Sequence, residues 1–189
     1  MQRPKLLGIS GSLRRESYST FLLETLSQSL AGRVDLEVLR LNDVPLYDQD
    51  LDTANPPHGV AYLRAAIGAA DGVIIASPEY NYGISGVLKN ALDWASRPYG
   101  QATLTGKPVL TLSSSMAATG GVRAQAQLNE TLLAIGAKLV IRPQIVVASV
   151  HEKVRDGRFS DTATLDFMRA GVDDLIAEID RSSQLKKVA

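Results

Sequence analysis

Cysteine is absent from the 189-residue chain, which excludes disulfides, thiolate metal ligands and a cysteine nucleophile, and which fits the reducing cytoplasm. A surplus of positive charge is also absent, because 20 Lys and Arg residues balance 20 Asp and Glu residues. Nucleic acid is therefore not an expected partner. No run approaches the roughly 18 apolar residues of a membrane span, and the apolar run behind the basic start is too short for a signal peptide. We predict a cytoplasmic protein that does not enter membranes.

Several catalytic signatures are missing as well. There is no G-x-S-x-G segment, and the histidines are His58 in a proline-rich loop and His151 after the fifth predicted strand, so a serine hydrolase is disfavoured. Each histidine is interpreted as a surface or capping residue. Asp48, Asp50 and Asp52 alternate like the start of a calcium loop, but the glycine and distal glutamate of such a loop are absent. We predict no metal site.

The chain does contain a regular alternation of apolar patterns. Short runs rich in Val, Ile and Leu, typical of strands buried on both faces, cover residues 5–10, 34–41, 72–77, 108–113 and 138–147. Between and after these runs, apolar residues recur every three or four positions, as on one face of a helix. The pattern predicts an α/β three-layer sandwich with a five-stranded parallel sheet, right-handed crossovers and helices on both faces. We expect the strand order 2-1-3-4-5, which is a common order of such doubly wound sheets.

The domain organisation is simple. No shift in composition divides the chain, so we predict one domain over residues 1–189 with a frayed tail at 182–189. Residues 42–58 exceed a usual connection in length and predict either a functional flap or a loop that packs over the sheet edge. Trp94 has helical spacing from Val87 and Ala91, which places it in the core or in a subunit interface.

The loop after the first strand has the composition of a phosphate site. Gly11 permits a tight turn, and the hydroxyls and the guanidinium that follow it can donate to phosphate oxygens at the start of a helix. These donors are Ser12, Arg14, Ser17, Ser19 and Thr20. Neither the Gly-Lys-Ser/Thr ending of a triphosphate loop nor a G-x-G-x-x-G pattern is present, so a monophosphate is favoured. Alternatively, Ser17 or Ser19 is only the N-cap of the first helix, with the arginines in solvent.

The loop after the third strand has the composition of a site for a planar ring. It reads Pro78-Glu79-Tyr80-Asn81-Tyr82-Gly83 and combines turn residues with two aromatic rings. Backbone amides of this loop could face the edge of a heterocycle, and Glu79 could anchor the loop or a subunit contact. We predict that residues 83–97 form the next helix, with its N-terminus toward the ring. The alternative is that the tyrosines pack on a neighbouring loop.

The hydroxyl-rich loop after the fourth strand, residues 113–121, faces the same crevice and includes Ser114. In a 2-1-3-4-5 sheet the strand order reverses between the first and third strands, and ligands bind beyond the carboxyl ends of the strands at that point. The phosphate-like loop and the ring-binding loop follow those two strands. FMN is therefore the predicted ligand.

The chain resembles the NADPH-dependent FMN reductase family of flavodoxin-like proteins, in particular its quinone and chromate reductases. The resemblance covers nearly the whole chain. The segments that carry it are Gly11-Ser12-Leu13-Arg14 with Ser17, Pro78-Glu79-Tyr80-Asn81-Tyr82, Leu88-Lys89-Asn90-Ala91-Leu92-Asp93-Trp94, Gly106-Lys107-Pro108, and Ser114-Ser115 with Gly120-Gly121. Ser19 stands where many relatives carry Asn.

This resemblance implies bound FMN, NADPH or NADH as co-substrate, and small-molecule electron acceptors: quinones, azo compounds, free flavin or metal oxyanions such as chromate. It also implies a homodimer or homotetramer. Similarity assigns Ser12, Arg14, Ser17, Ser19 and Thr20 to the phosphate. It assigns Pro78, Glu79, Tyr80, Asn81, Tyr82 and Gly83 to the ring, and Ser114 to the rest of the pocket.

The predicted mechanism is a two-electron, ping-pong reaction in which FMN performs the chemistry and no side chain is catalytic. The main alternative is an electron carrier of flavodoxin type without small-molecule turnover. Such carriers are usually strongly acidic and have a Thr-rich phosphate loop, whereas this chain has no net charge and has Ser-Leu-Arg. A flavin-dependent regulatory protein is a third possibility.

Overall fold

The architecture is a parallel sheet between two layers of helices. The computed structural model describes residues 3–188, and among these the side chains of 186–188 are not described. The strands are β1 (Lys5–Ser10), β2 (Asp35–Arg40), β3 (Gly72–Pro78), β4 (Pro108–Ser114), β5 (Lys138–Leu139) and β6 (Ile145–Val147). The order is β2-β1-β3-β4, and both β5 and β6 pair with β4. The predicted α/β class and the strand order 2-1-3-4-5 are confirmed.

The fifth strand, expected as one run over residues 138–147, is interrupted between β5 and β6. Pro143 lies in the interruption and has no N–H to donate to the neighbouring strand. Arg142 turns inward, donates to Asp174 at 2.7 Å and to the Phe167 carbonyl at 3.2 Å, and so ties this segment to the last helix. Ile141 is left almost fully exposed.

Five helices cover the two faces of the sheet. Helices α1 (Tyr18–Ser29) and α5 (Thr162–Val188) pack on one face, and α2 (His58–Ala69), α3 (Gly86–Ala95) and α4 (Val122–Ile135) pack on the other. Alternation along β1 separates the two cores, because Leu6 packs with α1 and α5 while Leu7 packs with α2 and α3.

Two predicted boundaries differ from the structure. The helix expected over residues 83–97 begins at Gly86, because Tyr80 and Gly83 are paired in a turn and Ser85 is the N-cap that accepts from Leu88 N at 3.2 Å. The same helix ends at Ala95 rather than at 97. The predicted tail over residues 182–189 is helical to Val188, and its fraying stays a prediction. Lys138 on β5 donates to the Ser182 hydroxyl at 3.2 Å and supports that extension, whereas Ala189 lies outside the described residues.

The long connection over residues 42–58 packs on α3 rather than over the sheet edge. Trp94 Nε1 and Asn90 Nδ2 donate to the Pro45 carbonyl at 2.9 and 2.8 Å, and Tyr47 N donates to Asn90 Oδ1 at 2.7 Å. Trp94 is fully buried, as the prediction of a core position required. The connection also contains a 3-10 turn at Gln49–Leu51.

A second 3-10 turn at Val150–Lys153 leads into a hairpin of β7 (Val154–Arg155) and β8 (Arg158–Phe159). The hairpin was not predicted from the sequence. It lies against α1, where Thr25 accepts from Phe159 N at 3.3 Å. Among the described helices, none combines the length and the apolar content needed to cross a bilayer.

Candidate FMN site

A cavity of about 180 Å³ opens where β1, β3 and β4 end. Ser10 is in register with Ala76, and Pro78 with Ser114, so the three following loops start at the same edge of the sheet. The cavity is lined by Ser12, Arg14, Ser17, Tyr18, Ser19, Pro78, Glu79, Tyr80, Ser114, Ser115 and Met116. Residues predicted from all three loops therefore meet in one place.

Gly11 lets the first loop approach the third strand closely. Its N–H donates to the Ala76 carbonyl at 2.9 Å, and its own carbonyl accepts from the Ser85 hydroxyl. A Cβ at Gly11 would lie 3.1 Å from the Ala76 carbonyl oxygen, so a side chain would push the loop away from β3. Sequence reasoning missed Ser85, whose position before α3 is an ordinary capping signal.

The hydroxyls of the first loop have different surroundings. Ser17 is the N-cap of α1 and accepts from Thr20 N at 3.3 Å, and it also lines the cavity. The prediction that Ser17 caps the helix and the prediction that it belongs to the site are therefore compatible. Thr20 Oγ1 shares a 2.8 Å hydrogen bond with the Ser10 hydroxyl and does not line the cavity. Thr20 therefore supports the wall.

Ser19 provides a test of whether an anion fits here. Ser19 lines the cavity and is 1% exposed as a residue, and its buried hydroxyl has no hydrogen-bond partner among the described residues. A buried hydroxyl without a partner costs free energy unless a ligand or water satisfies it. An acceptor oxygen such as that of a phosphate would pair with it beside the N-terminus of α1, where the helix dipole favours negative charge.

Arg14 supplies the positive charge of this wall. Its guanidinium donates to the Glu16 carbonyl at 2.5 Å and lies 5.1 Å from the centroid of the Tyr18 ring. These contacts fold the side chain back on its own loop beside the cavity. Tyr18 was not predicted as a site residue, because as the first residue of α1 it resembles any other helix position.

The loop after β3 contains a tight two-residue turn. Tyr80 N donates to the Gly83 carbonyl and Gly83 N to the Tyr80 carbonyl, both at 3.0 Å, while Asn81 and Tyr82 have φ of 50° and 68°. Positive φ at both central residues is the signature of a type I′ turn. Of the six residues predicted for the ring, Pro78, Glu79 and Tyr80 line the cavity, whereas Asn81, Tyr82 and Gly83 lie outside its lining.

Glu79 joins the second loop to α4. Its Oε2 accepts from Arg123 N and Ala124 N at 3.0 and 3.2 Å. The N-cap of α4 is Gly121, which has no side chain, so the Glu79 carboxylate caps this helix from the loop after β3. The Arg123 guanidinium lies 3.7 Å from Glu79 Oε1 and 4.2 Å from the Tyr82 ring centroid, which also holds the turn.

The loop after β4 closes the third side. Ser114 is almost fully buried, and Ser115 N donates to the Val147 carbonyl at 3.1 Å, so the loop is fixed against β6. Met116 is 58% exposed at the cavity mouth. The sequence indicated this loop as a whole but singled out only Ser114.

The family model described as NADPH-dependent FMN reductase matches residues 4–152. The chain belongs to this family. A quinone reductase of Escherichia coli K12 is 36% identical over 171 residues, which cover 88% of this chain and 90% of that protein. An NAD(P)H-dependent FMN reductase of Pseudomonas aeruginosa is 39% identical over 147 residues, 78% of this chain and 79% of that protein.

Among solved structures, the flavoenzyme NAD(P)H:(acceptor) oxidoreductase FerB of Paracoccus denitrificans matches this FMN reductase family member with a TM-score of 0.82 and 33% identity. The match covers 95% of this chain and 98% of that chain. The predicted resemblance and the flavodoxin-like fold are therefore confirmed. So is the prediction of an NAD(P)H-dependent flavin reductase that uses FMN.

Proposed function

We propose that this protein is an FMN-dependent NAD(P)H oxidoreductase that reduces quinones by two electrons in a ping-pong order. NAD(P)H supplies two electrons and one proton, and a second proton comes from water, so that a quinone becomes a hydroquinone. The observation that carries the proposal is the cavity at the ends of β1, β3 and β4, whose buried Ser19 hydroxyl has no protein partner among the described residues. The relatives described as an NAD(P)H-dependent FMN reductase and a quinone reductase support the same reaction class.

The phosphate end of FMN is assigned to the first loop. Ser12, Ser17 and Ser19 would donate hydroxyl hydrogen bonds there, and Arg14 would neutralise the charge that the N-terminus of α1 also attracts. Thr20 acts from behind the wall through Ser10.

The ring is assigned to Pro78, Glu79, Tyr80 and Ser114, which line the other side of the cavity. Gly83 would act indirectly by shaping the turn, since Gly83 and Tyr80 use their amides on each other. The N–H groups of Asn81 and Tyr82 have no hydrogen-bond partner among the described residues, so they remain available to a ring edge.

No side chain of the site is assigned a catalytic role. Glu79 is committed to the N-terminus of α4, and Thr20 is committed to Ser10. When bound, FMN supplies the transfer of two electrons between NAD(P)H and the acceptor. The chain's residues orient the reactants and cover one side of the site, while the half-exposed Tyr80 and Met116 leave an open mouth.

An open mouth admits acceptors of different shapes, so we extend the proposal to free flavin, azo compounds and chromate. We also propose a homodimer or homotetramer. Exposed apolar side chains, such as Tyr99 at 90% and Leu133 at 63%, support such contacts. Light scattering after size exclusion would test the assembly.

The decisive experiment is anaerobic mixing of the purified yellow protein with NADPH and, separately, NADH, followed by addition of a quinone. We expect bleaching of the bound flavin by at least one nicotinamide, return of the colour with the quinone, and sustained turnover. Flavin that stays oxidised with both nicotinamides would refute the proposal. Bleaching without quinone turnover would favour an electron carrier.

A further inference from the structure

A second cavity, which we call the side groove, adjoins the proposed FMN site. Its volume is about 630 Å³, and it lies between the first loop, the segment after β2 and the start of α3. It shares Ser12, Arg14 and Tyr80 with the FMN cavity. The other residues lining it are Gly11, Leu13, Leu41, Asn42, Val44, Leu46, Ser85, Gly86, Val87 and Asn90. A ligand in the groove would therefore touch the same loop and the same tyrosine as the flavin.

The lining of the side groove is mainly apolar and partly exposed. Leu13 is 40% exposed, Leu46 84% and Tyr80 51%. Three large apolar side chains around one concave surface exceed the scattered exposed leucines of an ordinary protein surface. The volume and the apolar lining are those of small-molecule sites.

Most polar groups of the side groove are already paired within the protein. Asn90 uses its amide on Tyr47 N and the Pro45 carbonyl, and Ser85 uses its hydroxyl on Gly11 and Leu88. The exposed amide of Asn42 has no hydrogen-bond partner among the described residues. The groove thus offers a large apolar area and few donors. The Asn42 amide and the Tyr80 hydroxyl remain at its edge, because the Arg14 guanidinium donates to the Glu16 carbonyl and is assigned to the phosphate.

We propose that the side groove is the acceptor subsite and that it binds an apolar, planar carbonyl compound of the quinone class, with its substituents against Leu13, Leu46 and Val87. A quinone has an apolar ring and two carbonyl acceptors, which match this combination of apolar area and few donors. This inference rests on the proposed function and adds the location and the selectivity of acceptor binding.

Gly86 allows a direct test. It is the first residue of α3 and lines the groove, and a Cβ built on it would meet no atom within 4 Å, so we expect the side chain of Gly86→Leu to extend into the groove. Gly68 in α2 also faces open space, but it lines a different cavity beside Lys107 at the opposite end of the sheet. Gly68→Leu is therefore the matched control.

The measurement is steady-state reduction of 2-methyl-1,4-naphthoquinone and of hexacyanoferrate(III), a small anion with no apolar ring. We expect Gly86→Leu to raise KM for the naphthoquinone about 10-fold. The same variant should keep its flavin content, its bleaching by NAD(P)H and its hexacyanoferrate turnover. Gly68→Leu should match the wild type with both acceptors.

If Gly86→Leu lost turnover equally with both acceptors, the inference would be wrong. It would also be wrong if the KM for the naphthoquinone stayed at the wild-type value. If Gly86→Leu lost its flavin and Gly68→Leu kept it, the groove would belong to the flavin site, and the inference would again be wrong. If Gly86→Leu does not fold, the same measurements are made on Leu46→Ser. This exposed side chain contributes little to the stability of the fold. A wild-type protein that binds no FMN would instead refute the proposed function.

Discussion

Ser19 and Thr20 are adjacent hydroxyl residues whose side chains have opposite surroundings. Both are buried, but Thr20 is paired with Ser10, whereas Ser19 has no partner among the described residues and lies in the wall of the FMN cavity. Substitutions at the two positions can therefore distinguish an effect on ligand binding from an effect on the stability of the fold.

We predict that Ser19→Ala weakens FMN binding about 10-fold, since a hydrogen bond to a charged group contributes about 1.5 kcal/mol or more. The free energy of unfolding of the FMN-free protein should stay the same or rise slightly, because an unpaired buried hydroxyl is removed. Flavin fluorescence quenching gives the dissociation constant, and urea unfolding gives the stability.

Thr20→Val is the control for that pair of measurements. It removes the hydrogen bond to Ser10 and should cost about 1 kcal/mol of stability with little change in FMN affinity. If Ser19→Ala destabilised the FMN-free protein and left the affinity unchanged, Ser19 would be a structural residue.

At the scale of elements, the turn over residues 80–83 stores backbone strain. Tyr82 has a φ of 68°, a region that disfavours side chains with a Cβ, and its ring lies under the Arg123 guanidinium. The strained turn lies next to the residues assigned to the ring, and a fixed backbone there would hold those residues in position.

We predict that Tyr82→Gly is more stable than Tyr82→Ala by about 1 kcal/mol, because both lose the Arg123 contact and only Gly tolerates the left-handed backbone. Urea unfolding of the two variants measures the difference. Tyr99 is also exposed but is not among the residues of positive φ, so Gly should show no advantage over Ala there. Equal stability of the two variants at 82 would contradict the strain.

The pairing of β5 with α5 predicts a pH effect. Glu178 forms an ion pair with Lys138 at 2.5 Å and a second one with Arg181. The contact with Lys138 and, to a smaller extent, that with Arg181 hold the pKa of Glu178 below its ordinary value of 4.5, against a raising effect of burial. A folded pKa below the unfolded one gives stability that is complete above the unfolded pKa and is lost as the pH falls through the folded value.

We therefore expect the wild type to lose more stability than Glu178→Gln when the pH falls from neutrality to below 4.5. Urea unfolding at several pH values measures both curves. The stability gap between the two proteins should narrow only on the acid side. A gap that is the same at every pH would exclude this ion pair as its source.

At the scale of the whole molecule, a chain without net charge has no overall attraction for an anionic cofactor, so any such attraction comes from groups close to the site. Twenty cationic and twenty anionic residues cancel, so in the proposed site the negative charge of FMN would be attracted by Arg14 and the N-terminus of α1 rather than by the overall field. The cytoplasmic location inferred from the missing cysteines stays a prediction.

Binding at this site should stabilise the entire fold. FMN at 100 times its dissociation constant adds about 2.7 kcal/mol, which for a domain of this size raises the Tm by about 5 to 10 °C. Riboflavin lacks the phosphate and should raise the Tm less at the same concentration. Differential scanning fluorimetry with each compound measures the increase in Tm. Equal increases with FMN and riboflavin would contradict a phosphate-binding site on the first loop.

Some differences between prediction and structure were readable in the sequence. Pro143 inside the expected fifth strand and Ser85 before α3 are ordinary signals of a strand break and a helix start. The positive φ of Tyr82 was not readable, because tyrosine is not a residue that indicates a left-handed backbone. The tail from Ser182 continues α5, and its hydrogen bond with Lys138 joins residues that are remote in the chain.

The amino-acid sequence by itself determined the alternation of strands and helices, the strand order, the loops that meet at the site and the class of cofactor. The alternation and the loops follow from patterns within a few residues, whereas the strand order and the cofactor class follow from the rule for doubly wound sheets and from the family resemblance. Only the tertiary structure decided that Ser19 and not Thr20 faces the cavity, that Glu79 caps α4, and that the side groove exists. Those outcomes depend on contacts between residues far apart in the chain, and packing, rather than local pattern, selects such contacts.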